Sequence, residues 1–227
     1  MMGQAVYTIV GDDIFRDLTP EQRALIERRI SYANYSAGHI FYAPEDYSER
    51  LLILRRGRVR IYKLSPEGRA MTLLVLEPPS IFGEMMLVEQ WTQDSFAEAM
   101  IDCNVGALGR SDLRQALTSY PAVALRFMET MSWRLRTLES KLADVAFKSV
   151  PQRLATVLLN LADVQPAGAT PPAVVRYTHQ QLAEMIGSYR ETVTKAIGEF
   201  REAGLIRVDE EAIYLTDMAQ LRELVGR

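Results

Sequence analysis

Residues Thr178 to Glu202 read THQQLAEMIGSYRETVTKAIGEFRE. This stretch decides the fold, because its apolar spacing, capping residues and the break at Gly187 describe two helices joined by a tight turn. Thr178 opens the first with a capping box: its hydroxyl is set to accept the N–H three residues on, and Gln181 to reach back to the Thr178 backbone. Leu182, Ala183 and Ile186 form the apolar side. Gly187 ends the helix, since glycine enters the left-handed backbone region without a Cβ clash. Ser188 is then expected as the N-cap of the second helix, with Glu191 at the matching position. On a wheel of about 100° per residue, Val193, Ala196, Ile197 and Phe200 share one face. Glu191, Thr194 and Lys195 share the other, and Arg190 lies at the border. Ordinary solvated helices also carry one charged face. Here the small, glycine and β-branched residues at Ala183, Gly187 and Val193 have the spacing of a helix-turn-helix, whose second helix enters the major groove of DNA with its first turn at the base edges. Arg190 offers a two-pronged donor for guanine, and Glu191 an acceptor for cytosine N4.

Bulk properties limit the remaining possibilities. The chain has 227 residues, enough for one large or two modest domains. Its 48% hydrophobic and 24% charged content is that of a soluble globular protein. No apolar run approaches the ~18–20 residues of a membrane span, and the start, MMGQAVYTIVGDD, lacks a basic region followed by an apolar core. A cytoplasmic location with no membrane partner is the expectation. The lone Cys103 excludes an internal disulfide framework and reads as a small buried hydrophobe. His39 and His179, far apart in sequence, give zinc chemistry and histidine catalysis little to build on, so no metal, cofactor or enzymatic activity is expected. A net charge of −3, with eight Lys/Arg against ten Asp/Glu in residues 151–227, weighs against broad attraction to nucleic acid. What remains is a local patch of Arg190, Lys195 and Arg201 with His179 nearby, implying weak non-specific binding and reliance on specific contacts.

Outward from the deciding stretch, Thr19-Pro20-Glu21 marks a helix start, running to about Ile30. From about Tyr32 to Leu108, short apolar or alternating runs (HIFYA, LLILRR, VRIYKL, MTLLVL, SFAEAMI, NVGAL) are separated by turn residues, which predicts a β-sandwich or small β-barrel. A helical segment follows at Ser111–Thr118. Pro121 starts the longest helix, to about Phe147, in which Met128, Met131, Leu135, Leu138, Leu142 and Val145 alternate steps of three and four. Such a seam suits either packing on its own domain or a two-fold dimer, and a dimer is what a helix-turn-helix needs to reach two half-sites. Phe147–Ser149 reads as a hinge, Pro151 as the opening of a helix RLATVLLNLAD, and VQPAGATPPA as a loop before a VVRY strand. After Gly204, LIRVDEEAIYLT alternates about an acidic turn as a β-hairpin wing, and Asp217 to Val225 as a short last helix.

This order of parts resembles the CRP/FNR family of bacterial transcription regulators over the whole chain. The resemblance implies an α+β fold: a β-roll effector-type domain at 1–120, a dimerisation helix at 121–147 and a winged helix-turn-helix at 148–227. It implies a homodimeric, sequence-specific regulator, an activator in contact with RNA polymerase through the 164–173 loop or the Arg55–Arg56 turn, bound to double-stranded DNA at an inverted TGTGA-like repeat. Arg190, Glu191 and Lys195 coincide with the family's base-reading Arg, Glu and Arg; Lys195 keeps the charge but loses the fork. Thr178, His179 and Gln180 match phosphate-holding positions, and Ser188 and Thr194 complete the expected DNA surface. In the effector cassette, Gly83 and Glu84 match residues that hold the cyclic phosphate and ribose, Ser95 a phosphate-binding serine, and Arg134 a further contact. Asp94 departs from the pattern, standing where cyclic-nucleotide binders place a phosphate-pairing arginine, and a carboxylate there repels phosphate. The two hydroxyl residues that hold adenine across the dimer appear as Leu138 and Glu139. The expectation is therefore another small effector, or none, in place of cyclic AMP. The competing expectation is a cyclic-nucleotide-responsive module acting on a protein partner.

Overall fold

The computed structural model describes residues 8–47, 49–88, 92–163, 172–175, 177–210 and 212–226, the side chains of residues 8–10 and 175 excepted. The chain divides into two compact units, residues 9–63 with 74–136, and residues 64–73 with 137–227.

The first unit is built on strands. After β1 (Thr8–Val10), α1 (Pro20–Glu27) starts as its sequence dictates, with the Thr19–Gln22 capping box closed in both directions and proline at the first position. It ends three residues short of the expected Ile30, because tight turns from Arg29 to Ile26 and from Ile30 to Glu27 bring Ile30 into the core. Then come β2 (Ser31–Tyr35), β3 (Ile40–Tyr42), β4 (Arg50–Arg56), β5 (Val59–Leu64), β6 (Ala70–Glu77), β7 (Ser80–Phe82), β8 (Phe96–Ala99) and β9 (Cys103–Gly109). They form two sheets, in orders β1-β6-β5-β8-β3 and β2-β9-β4-β7. Neighbours distant in sequence, such as antiparallel β4 and β9, are what a roll requires. Leu51, Leu54, Val59, Val75, Leu76, Phe82, Val105 and Leu108 are fully buried, which is why these runs alternate or, at LLVL, stay apolar throughout. A core of Ile14, Phe15, Ile26, Ile81, Met86, Leu113 and Val123 ties the roll to α1, to α2 (Arg110–Ser119) and to the start of α3 (Pro121–Phe147).

The long helix α3 turns its polarity inside out. Thr130, Arg134, Thr137, Lys141 and Asp144 are buried, whereas Leu125, Met128, Leu135, Leu138, Leu142 and Val145 are exposed, Leu142 to 70%. Met131 departs from this seam and packs in part against the first unit's core.

In the second unit, Ser149 and Gln152 cap α4 (Val150–Asp163) reciprocally at 3.0 and 3.4 Å. Residues 154–161 are all buried. Beyond lie β10 (Ala173–Val175), α5 (His179–Ile186), α6 (Arg190–Glu202), β11 (Ile206–Val208), β12 (Ala212–Leu215) and α7 (Met218–Leu224). The β11–β12 hairpin is the expected wing, extended by β10 in a three-stranded antiparallel sheet. Of the expected loop and strand before α5, residues 164–171 and Arg176 lie outside the described residues. Among the described residues, no helix is long and apolar enough to cross a membrane.

Candidate nucleic-acid interface and effector pocket

The turn between α5 and α6 follows from glycine. Gly187 sits at φ 63°, ψ 46°, and the Ser188 N–H donates to the Ala183 carbonyl at 2.9 Å. That bond closes a Schellman-type cap, so Ser188 still belongs to the end of α5. The N-cap of α6 is consequently Tyr189, not Ser188 as the capping pattern predicts, and no side chain caps that helix. The first N–H groups of α6 are left for an outside acceptor, and the helix dipole favours an anion there.

Val193, Ala196, Ile197 and Phe200 are buried, and Arg190, Glu191, Thr194 and Lys195 are exposed. Among the described residues, Arg190 and Glu191 side chains form no ion pair, and Lys195 meets Glu199 only at 3.8 Å. Thr194 donates to the Arg190 carbonyl at 2.9 Å and lies 3.0 Å from His179 Nδ1. With its one proton committed, the Thr194 hydroxyl accepts from His179 Nδ1–H. Thr178 accepts the Gln181 N–H at 3.1 Å, which leaves its own proton for a phosphate. The Gln180 amide is engaged by Glu184 at 2.8 Å. Between the start of α5 and the wing lies a groove of about 280 Å³, lined among others by Tyr177, Thr178, His179, Asp209 and Glu210. The acids at its wing side disfavour a phosphate there.

In the first unit, Gly83 holds φ 79°, and a Cβ there would come 3.1 Å from the Arg50 carbonyl oxygen. Glu84, next in a single 3₁₀ turn (Glu84–Leu87), pairs with Arg134 at 2.7 Å. Arg134, side chain 7% exposed, also donates to the Ile81 carbonyl, while its Nε is buried without a partner. Asp94 is exposed and pairs with Lys63 at 2.8 Å. Ser95 is buried and bonds Tyr42, whose phenol burial pushes up strongly, with Glu84 adding to the shift. Gly83, Glu84, Asp94, Ser95 and Arg134 thus share one unit, whereas Leu138 and Glu139 are exposed on α3 in the other. Sequence reasoning does not single out Tyr42 or Lys63. The only signal for Lys63 is the β5–β8 register, which pairs Tyr62 with Phe96 and so brings the next residue level with Ser95. Among the described residues, no group of three His, Cys, Asp or Glu is placed to hold a metal ion.

A roll of this topology, followed in the chain by a winged helix-turn-helix, defines a DNA-binding transcription regulator with a domain of the cyclic-nucleotide-binding type. Residues 152–224 match the Crp-like helix-turn-helix domain, and residues 32–120 the cyclic nucleotide-binding domain. The chain is 36% identical over 189 residues to the transcriptional regulator SdrP of Thermus thermophilus, covering 80% of this chain and 85% of that protein. It is 29% identical over 212 residues to the CRP-like cAMP-activated global transcriptional regulator of Mycobacterium tuberculosis, covering 92% and 94%. The solved structure of TTHA1359, a CRP/FNR-family transcriptional regulator of Thermus thermophilus, superposes with a TM-score of 0.73 at 30% identity, over 87% of this chain and 99% of that one. The chain belongs to the CRP/FNR family of transcription regulators.

Proposed function

We propose that this protein is a homodimeric, cytoplasmic activator that binds an inverted TGTGA-like repeat, and that it does so without cyclic AMP. The observation that carries the reading is the start of α6, where Arg190 and Glu191 stand exposed, with no ion pair among the described residues, at a helix end with no side-chain cap. The half-site follows from the coincidence of Arg190, Glu191 and Lys195 with the family's base readers. The outward apolar seam of α3 supports the dimer, and the element boundaries support domains at 1–120, 121–147 and 148–227.

The effector part rests on Asp94. The M. tuberculosis relative is cAMP-activated by name, which favours cyclic AMP. Against it, the position of the phosphate-pairing arginine holds a carboxylate whose charge is already balanced by Lys63. Arg134, in turn, is committed to Glu84. A cyclic phosphate entering here meets charges that are satisfied without it. For activation, the Arg55–Arg56 turn offers mainly Arg56, since Arg55 pairs with Glu27 at 2.5 Å and covers the Tyr32 ring. The 164–173 loop, the other surface proposed for RNA polymerase, lies outside the described residues up to Pro171.

The test is fluorescence anisotropy of the ligand-free protein on a duplex with an inverted TGTGA repeat and on a scrambled duplex, each with and without cyclic AMP. Site-specific binding that cyclic AMP leaves unchanged is expected. Binding that appears only with cyclic AMP would overturn the effector reading, and equal binding to both duplexes the half-site.

A further inference from the structure

The segment Leu64–Leu73, the tip of the β5–β6 hairpin, belongs to the same compact unit as residues 137–227. Two contacts and one close approach hold it there. Lys141 of α3 donates to the Thr72 carbonyl. Met71 Cε lies 3.5 Å from where a Cβ on Gly187 would stand. The Arg69 guanidinium carbon lies 4.8 Å from the Tyr189 ring centroid. Tyr189 is the N-cap of α6, 62% exposed, immediately before Arg190. The hairpin therefore brings a cation from outside the helix-turn-helix to the end of the helix that enters the groove.

We propose that Arg69 is a DNA-phosphate contact that extends the recognition surface beyond the helix-turn-helix; this rests on the DNA-binding reading above. A helix entering the major groove by its N-terminus runs between two phosphate backbones, and phosphate contacts fix its register. The Tyr189 ring supports one face of the guanidinium and leaves the N–H edges open for a two-pronged bond to a phosphate. The turn that carries Arg69 is closed by bonds from Ser65 N–H to the Arg69 carbonyl at 2.8 Å, from Gly68 N–H to the Ser65 carbonyl at 2.9 Å and from Arg69 N–H to Ser65 Oγ at 3.2 Å. Arg69 is exposed and makes no ion pair among the described residues; the nearby Glu67 carboxylate is held first by Ser65 and by backbone N–H, and the Arg69 charge is the weakest of the influences on it. In a half of the molecule with more acids than bases, one added cation at this place weighs heavily.

The test is the salt dependence of binding, measured on the full-length protein, Arg69→Ala and Arg69→Lys with both the inverted-repeat and the scrambled duplex. Each phosphate contact contributes about 0.9 to the slope of log K against log salt. Arg69→Ala should flatten that slope by about 0.9 per subunit, weaken both duplexes by the same factor and leave discrimination between them unchanged, with an unaltered thermal midpoint. Arg69→Lys should keep the slope. A wild type that binds while Arg69→Ala leaves its slope intact would overturn the proposal and make the hairpin a mere support for Tyr189. Wild type that binds neither duplex even at low salt would overturn the DNA reading itself, and this contact with it.

Discussion

Arg190 and Asn160 show what single side chains do when their surroundings give them no partner. Arg190 is exposed and forms no ion pair among the described residues, so as the proposed base reader it would meet DNA without first breaking an internal bond. Arg190→Ala should cost about 1–3 kcal/mol on the specific duplex and relax discrimination at one base pair; an equal loss on scrambled DNA would remove it from the base readers. Asn160 is 0% exposed in the middle of α4, and neither polar atom of its side chain has a hydrogen-bond partner among the described residues. Desolvating an amide without replacing its bonds is costly. Asn160→Leu, with the same branching and number of side-chain heavy atoms, should therefore stabilise the protein by about 1–2 kcal/mol, read as a higher urea midpoint with an unchanged slope; a lower midpoint would mean that its larger methyl groups overpack the site. Nothing in RLATVLLNLAD marks this asparagine as buried, because the helix is enclosed by partners distant in sequence.

At the scale of elements, α3 carries the sharpest contrast. Its heptad seam was legible as periodicity, but periodicity cannot say whether an apolar stripe faces its own core or the outside. The structure resolves this for most of the seam, with Leu135 59% exposed and Arg134 beside it buried. Met131 is the exception, because it lies on the turn that still touches the core around Val123. Leu135→Glu adds a charge to the exposed stripe and should yield monomers by light scattering while keeping the wild-type helix content by circular dichroism. A dimer that survives would remove the seam from the interface. The helix-turn-helix was nearly all legible: the capping box, the glycine turn and the buried face each depend on residues within one turn of each other. The position of the second N-cap was not, since the Schellman bond to Ala183 competes for Ser188. The roll's existence was readable from alternating runs, whereas Tyr42 and Lys63 come beside the candidate effector residues Ser95 and Asp94 through strand pairings that no local pattern encodes.

For the whole molecule, Lys141 ties stability to pH. It is buried against the Thr72 carbonyl, and burial lowers its pKa from 10.5 to about 7, with Asp144 opposing the shift. Between those values the folded chain holds fewer protons at this site than the unfolded chain. Unfolding there takes up a proton, and stability rises with pH. Below about pH 7 both states are protonated, and the full cost of the buried charge remains. Lys141→Met removes the titration, so the wild type should gain on this variant from pH 7 to 9.5 in denaturant midpoint. A constant gap between the two would mean that Lys141 stays charged throughout. The outward stripe on α3 has a different consequence, in dosage. While subunits are scarcer than the dissociation constant of their pairing, occupancy of a twofold DNA site grows with the square of their concentration. In the dimeric activator proposed above, a modest rise in synthesis would then become a steeper rise in transcription.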